Sequence, residues 1–372
     1  MSTKKYEYIV VSGDFFPSNG VITENNGNNE LLKIYKNAKT HIVNLEAPIT
    51  KSKKTNFKVG PNIKLLDSGN IFETFNINHV TLANNHICDY GIEGIKDTIS
   101  VLSKYEITYQ GIEVNGTSNY KFLDINGHKV AIFNFCEFEF CEIDDANRAK
   151  TIDPCCNYKE ITECESDFKV VILHGGTEHS DMPNKWIRKI AKYYIDIGCD
   201  LVLCHHTHTV CGMEEYRGKE IYYGLGNFIF PKKKANNTWY LGISLQIKID
   251  DEVLNTKVIP FKQVNNSTTV LALEGKDLDI FNKRFRFLCD SIKNDHQYEK
   301  YWENYYKLEH VNYLSSALNH SRLERGIFRR LGLRLKKFNE KLAIARLLNN
   351  VRCQSHRTIF NEVLKRRLEH KY

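Results

Sequence analysis

The chain has 372 residues, 42% hydrophobic and 26% charged, with a formal net charge of +7. This is ordinary globular usage, long enough for one large domain with an appendage or for two domains, and it excludes wholesale disorder. The charge is uneven: residues 321–372 hold 15 Lys+Arg against 4 Glu, and the other 320 carry a net −4. A basic tail on a mildly acidic body points to an anionic partner for the tail and away from nucleic acid as the partner of the body.

In chain order, residues 8–12 read as a strand ending in a Gly-Asp turn. The Asn/Gly-rich stretch 24–30 reads as a flexible loop. Residues 41–45 form a second strand ending at Glu46, and 80–83 a third ending at Asn84-Asn85-His86. Ile95, Ile99 and Leu102 give residues 94–105 helical spacing. Strands are expected over 129–135 and over 169–173, the second ending at His174. A helix over 186–197 precedes a strand over 201–204 that ends at His205, and residues 222–225 and 240–249 read as further strands. Four strands thus end in Asp, Glu, Asn or His, and in sheets with crossover helices ligands bind beyond such ends. This places a catalytic domain at about 1–270.

From about residue 276 the texture turns helical, over 277–292, 296–318, 322–348 and 356–370. Leu323, Ile327, Leu331 and Leu335 repeat every four residues with Arg329, Arg330, Arg334 and Lys336 between them. That is an amphipathic basic helix, either packed on the main domain with a solvated face or presented to anionic lipid, polymer or a partner protein. The eleven cysteines include no C-x-x-C pair and are expected as reduced thiols. The apolar run at Ile9-Val10-Val11 is too short for a secretory signal, and no stretch approaches a membrane span. The expectation is a cytoplasmic protein, peripheral at most to a membrane.

The chemistry concentrates in short motifs. Three histidines in four positions, His205, His206 and His208, follow an apolar run, and a turn beyond a strand can present two of them to metal ions. His174 ends a strand before Gly175-Gly176. In the stretch Asn84–Asp89, Asn offers a neutral oxygen, His86 a ligand or an acid, and Asp89 a carboxylate to orient that ring. The same residues would serve equally as a polar turn capping the following helix. Asp14 and Glu46, each at a strand end, supply the negative charge that divalent cations need.

The order of these motifs resembles the CapA family, the bacterial capsule-synthesis or poly-gamma-glutamate-synthesis domain, which is related to the calcineurin-like metallophosphoesterases. The matching pieces are GD at 13–14, NLEAPIT at 44–50, LANNHICDYGIEG at 82–94, HGGTEH at 174–179, DIGCDLVLCHHTH at 196–208 and YYGLGNFIF at 222–230. The resemblance implies an α/β fold, a four-layer α/β/β/α sandwich of the metallophosphoesterase type with a binuclear site at one edge. A C-terminal helical region at 276–372 is appended to it. It implies Asp14, Glu46, Asn85, His174, His206 and His208 as ligands of one or two divalent ions, with Mn, Fe and Zn not distinguished. It implies catalytic roles for His86, Asp89 and Glu178, and substrate contacts for Lys58 and Asn227. Departures are Phe16 where the wider superfamily has a metal histidine, Glu46 for the usual aspartate, and Cys204-His205 where Gly-His is common. The implied function is capsule- or exopolymer-associated, with metal-dependent phosphoester hydrolysis as the activity. The alternative is a non-hydrolytic binding or transfer component of a polymer-assembly complex. The expected partners are an anionic phosphate-bearing or polymeric substrate and, through the basic helices, a membrane surface or a synthase.

Overall fold

The computed structural model describes residues 7–17, 30–67, 69–116, 121–232, 236–317 and 340–368. The early part of the chain alternates strand and helix: β1 (Ile9–Phe15), α1 (Glu30–Asn37), β2 (Thr40–Leu45), α2 (Asn70–Thr74), β3 (Ile77–Thr81), α3 (Gly91–Lys104) and β4 (Thr108–Gln110). The middle holds β5 (Ile112–Glu113), β6 (Lys121–Ile125), β7 (His128–Cys136), β8 (Glu142–Asp144), β9 (Asn147–Ala149), α4 (Pro154–Thr162), β10 (Phe168–His174), α5 (Lys185–Asp196) and β11 (Leu201–His205). Then come β12 (Met213–Tyr216), β13 (Lys219–Tyr222), β14 (Asn227–Ile229), β15 (Leu241–Asp250), β16 (Val253–Gln263) and β17 (Val270–Ala272). The described C-terminal helices are α6 (Gly275–Lys293), α7 (Asp295–Ala317), α8 (Glu340–Arg352) and α9 (Gln354–Leu368).

Two sheets form the centre. One runs β17-β16-β15-β1-β2-β3-β4, with β14 also paired to β1, and the other β12-β13-β11-β10-β7-β6. Strands β1 to β4 are mutually parallel, as are β7, β10, β11 and β13. Both faces of the inner strands are apolar, and the period of two divides each strand between layers. In β10, Val170 and Ile172 face the other sheet, whereas Val171 and Leu173 face outward to helices. In β1, Ile9 and Val11 face the inter-sheet core, and Val10 faces outward. The first sheet is covered outside by Leu31 and Tyr35 of α1, Phe72 of α2 and Ile95 of α3. The second is covered by Ile187 and Tyr194 of α5, Ile292 of α6, Trp302 of α7 and Ile359 of α9. The fold is therefore the expected four-layer α/β/β/α sandwich.

Two sequence expectations differ in detail. The strand read at 222–225 lies earlier, at β13, because it pairs with β11 through Tyr222, after which the chain turns toward the site. The basic repeat at Leu323, Ile327, Leu331 and Leu335 lies outside the described residues, as does most of the 24–30 loop. No described helix is long and apolar enough to cross a membrane.

The docking of α7 is polar as well as apolar. Trp302 is fully buried, and its indole N–H donates to the Pro183 carbonyl at 3.0 Å, beside the Tyr298 hydroxyl on the same oxygen at 2.9 Å. Truncating a buried tryptophan removes this packing and leaves a cavity. Trp302→Ala should therefore lower the free energy of urea unfolding by about 3–5 kcal/mol. A loss under about 1 kcal/mol would mean that α7 is a detachable appendage.

Candidate metal centre

The site sits where β1, β2 and β3 of one sheet and β10 and β11 of the other reach their carboxyl ends. Gly13 makes the first approach possible, since a Cβ there would stand 1.8 Å from the Gly226 carbonyl oxygen. That closeness lets the Asp14 N–H donate to Gly226 O at 3.1 Å and turns the Asp14 carboxylate inward. After β11 the chain turns sharply through two positive φ angles, 90° at His206 and 55° at His208. These angles are unusual for residues with a Cβ and cost of order 1–3 kcal/mol each. The turn projects the His208 ring toward Asp14, 3.4 Å from its Oδ2, and the His206 ring toward His174, while Asp14 Oδ2 also accepts the His206 backbone N–H at 3.2 Å.

Two clusters of potential ligands result, and they share one residue. Glu46, His174 and His206 form one, and Asp14, Glu46 and His208 the other, with donor atoms within 4.8 Å of each other in each. Asn85 joins the first, its Oδ1 lying 3.1 Å from His174 Nε2. His206 Nδ1 is 3.1 Å from that same nitrogen. Glu46 Oε1 is 3.7 Å from both His174 Nε2 and His208 Nε2. All six residues implied as metal ligands are thus brought together. All six are buried, Asn85 and His208 being the most exposed at 7% and 6%.

Both Glu46 carboxylate oxygens are buried without a hydrogen-bond partner among the described residues. Burial first, and the neighbouring Asp14 charge second, push the Glu46 carboxyl well above the usual range. Burial pushes Asp14 up too, but the His208 hydrogen bond and the nearby imidazoles outweigh it and hold that group below the usual range. Burial lowers His208, yet Glu46 and Asp14 win and raise it to about 10. An orphaned buried carboxylate facing convergent imidazole nitrogens is costly without a cation and suited to one. The donor set of carboxylate, imidazole and amide oxygen fits a first-row divalent ion.

Neighbours hold each ring. Asn227 Oδ1 accepts from His208 Nδ1 at 2.9 Å, and Asn44 Nδ2 lies 3.1 Å from His174 Nδ1. Asn227, read from sequence as a substrate contact, is fully buried behind His208 and orients a ring. His86 stands beside the clusters. Its Nδ1 donates to Asp89 Oδ2 at 2.8 Å, which leaves Nε2 for the cavity. Burial lowers the His86 pKa against the opposing pull of Asp89. Lys58 is pinned by Asp89 at 2.5 Å and the Asn85 carbonyl at 3.0 Å, so much of its charge is already neutralised. Glu178 is exposed at the mouth. The cavity above the site, about 410 Å³, is lined by Lys58, Asn85, His86, Glu178 and, from the C-terminal helices, Arg346 and His356.

Position 16 carries no ligand: the Phe16 ring packs on Phe230 with centroids 4.8 Å apart. His205 is buried with both ring nitrogens unpartnered among the described residues, Nδ1 lying 3.7 Å from Asp14 Oδ1. Sequence reasoning missed Glu137 and Glu139, which follow β7 directly. The rule that picked out Asp14, Glu46 and His174, an apolar strand ending in a ligand residue, would have found them in Asn134–Phe140.

The model of the family described as "Bacterial capsule synthesis protein PGA_cap" matches residues 8–232. The chain is 29% identical over 205 residues to "Capsule biosynthesis protein CapA" of Bacillus anthracis, covering 51% of this chain and 50% of that protein. It is 30% identical over 201 residues to "PGA biosynthesis protein CapA" of Bacillus subtilis, covering 51% and 52%. The chain thus spans about half the length of the curated relatives it matches. Similar solved structures include a phosphatase from Mycoplasma pneumoniae, 13% identical, TM-score 0.45, covering 75% of this chain and 99% of that one. A 5'-nucleotidase from Candida albicans is 13% identical with TM-score 0.41, covering 68% and 54%.

The unpartnered Glu46 makes the metal-free protein a sensitive probe. Saturating Mn²⁺ at about 100 times its dissociation constant should raise the unfolding free energy by about 2.7 kcal/mol. Glu46→Gln should abolish that gain while leaving the metal-free Tm equal or higher, because it removes an uncompensated buried charge beside Asp14. An undiminished Mn²⁺ effect in Glu46→Gln, read by differential scanning calorimetry, would rule out Glu46 as the shared ligand.

Proposed function

For this chain, which belongs to the PGA_cap family of bacterial capsule synthesis proteins, we propose metal-dependent hydrolysis of a phosphoester as the activity, in the service of capsule or exopolymer synthesis. The observation that carries the reading is the sharing of Glu46 by two ligand clusters, the first of which reaches, through Asn85, the cavity that His86 lines. Asp14, Glu46 and His208 would hold one divalent ion, and Glu46, Asn85, His174 and His206 a second. When bound, such ions supply Lewis-acid stabilisation of phosphoryl oxygens and a nucleophilic water at neutral pH.

The chain's own residues do the rest. At the cavity, Arg346 and the remaining charge of Lys58 would meet an anionic group. Asp89 is fully buried and accepts from both Lys58 and the Ile63 N–H, so it holds the His86 ring in one orientation. His86 Nε2 is then placed to hydrogen-bond a substrate oxygen or to hold the proton that a leaving oxygen takes. Asn227 and Asn44 fix the His208 and His174 rings, so binding costs little reorganisation.

One observation favours a second reading, a binding or transfer component of a polymer-assembly complex. Phe16 leaves the Asp14 half of the site with three protein ligands, fewer than its neighbour, so that half would hold an ion less firmly, and a site filled by one ion is the form that suits binding without two-metal hydrolysis. A basic C-terminal region engaging an anionic polymer, a membrane surface or a synthase belongs with that reading.

The Mn²⁺-loaded protein is expected to hydrolyse a generic phosphodiester or phosphomonoester. His206→Ala should abolish turnover, and His86→Ala should lower kcat by roughly 10²–10⁴-fold without loss of bound Mn²⁺. Stoichiometric Mn²⁺ binding with no release of phosphate or alcohol across a broad phosphoester panel would replace hydrolysis with the binding reading.

A further inference from the structure

The loop after β7 is held residue by residue by the junction between α8 and α9, a segment beyond the stretch matched by the family. Ser355 Oγ donates to Glu137 Oε1 at 2.6 Å, and Cys353 Sγ to Glu137 Oε2 at 3.3 Å. Gln354 Oε1 accepts from the Phe138 N–H at 3.1 Å. Asn349 Nδ2 donates to Glu139 Oε1 at 2.8 Å, and His356 Nε2 donates to the same oxygen at 3.1 Å, since a carboxylate only accepts. The junction is anchored on its other side as well: Ser355 Oγ accepts from Asn184 Nδ2 at 2.6 Å, and Asn184 Oδ1 caps α5 through the Ile187 N–H.

Both side-chain bonds to Glu139 fall on Oε1. The other oxygen, Oε2, faces His206 Nε2 at 3.6 Å. This is beyond hydrogen-bond distance and within the range of a direct electrostatic contact. His206 directs Nδ1 to the centre, so Nε2 is the nitrogen left to carry the ring proton, and it points at a carboxylate. A carboxylate behind a ligating imidazole fixes the ring and raises its basicity. His174 has Asn44 and His208 has Asn227 behind the ring, and Glu139 is the corresponding group for His206.

Glu139, Cys353 and His356 also place donor atoms within 4.8 Å of one another, which raises a third cation site as the rival explanation. Their bonding argues against it. His356 already donates to Glu139 and Cys353 to Glu137, whereas a ligand awaiting an ion looks like Glu46, with both oxygens bare.

We propose that Glu139 is a positioning residue for His206, set in place by His356 and Asn349, so that the C-terminal helices tune cation binding at the centre. The inference rests on reading the Glu46 clusters as a metal centre. The test is titration of Mn²⁺ into the metal-free full-length chain by calorimetry, with the metal-free Tm measured alongside. Glu139→Gln should weaken Mn²⁺ binding roughly 10–100-fold. His356→Gln and Asn349→Ala should weaken it less. The double variant Glu139→Gln/His356→Gln should bind no worse than Glu139→Gln alone, with each Tm within a few degrees of wild type. Affinities within twofold of wild type, losses that add in the double variant, or losses that track Tm would each overturn the proposal. If Glu139→Gln does not fold, His356→Gln and Asn349→Ala decide it, because both keep the carboxylate. A wild-type chain that takes up no Mn²⁺ brings down the metal-centre reading and this proposal together. A wild-type chain that binds, with variants that bind equally, brings down this one alone.

Discussion

The Glu46 carboxylate is the constraint around which the site is organised. It is buried, has no hydrogen-bond donor among the described residues, and lies within 4.8 Å of the Asp14 carboxylate through the cluster they share with His208. Keeping both carboxylates ionised there is unfavourable, and the Glu46 carboxyl responds with a pKa well above the usual range. His208, raised to about 10, offsets part of that. His174 does not, because burial and the neighbouring His206 push its pKa well down and keep it neutral. A neutral imidazole, a bare carboxylate and an amide oxygen facing one point leave a demand for positive charge that one protonated histidine does not meet.

The fold meets the geometric side of that demand. Parallel strands bring their carboxyl ends to one edge, so Asp14, Glu46 and the Asn84–His86 turn arrive from the first sheet and His174 and His206–His208 from the second. The inter-sheet core of Ile9, Val11, Val170, Ile172 and Leu203 sets how far apart the two sets stand. Close backbone approach at Gly13 and Gly175 removes the remaining obstacles, since a Cβ at Gly175 would stand 2.6 Å from Glu137 Cγ. The helices after residue 275 complete the enclosure. They cover the outer face of the second sheet, line part of the cavity, and in the proposed arrangement act on the centre through Glu139.

Much of this was legible in the residue order because the signals are local. An apolar run that stops at Asp14, Glu46, His174 or His205 announces a strand and its cargo together, and the Asn85-His86 and His206-His208 spacings are turn-sized. The motif order identified the family, and with it the layered fold. Other features were not legible. That Asn227 stands behind His208, and that Lys58 is paired with Asp89, are contacts between distant segments. Glu137 and Glu139 lie in a stretch whose aromatic and cysteine neighbours disguise a strand end of the same kind as the others.

By itself the sequence determined which side chains end each strand, because an alternation of apolar residues and its termination are properties of a few consecutive positions. Tertiary structure decided which of those ends share a ligand and which group stands behind each ring. The sharing of Glu46 depends on the spacing of two sheets, and the seating of Glu139 depends on His356, 217 residues away along the chain. Contacts over that separation are set by how whole layers pack, and no periodicity or spacing in the residues encodes them.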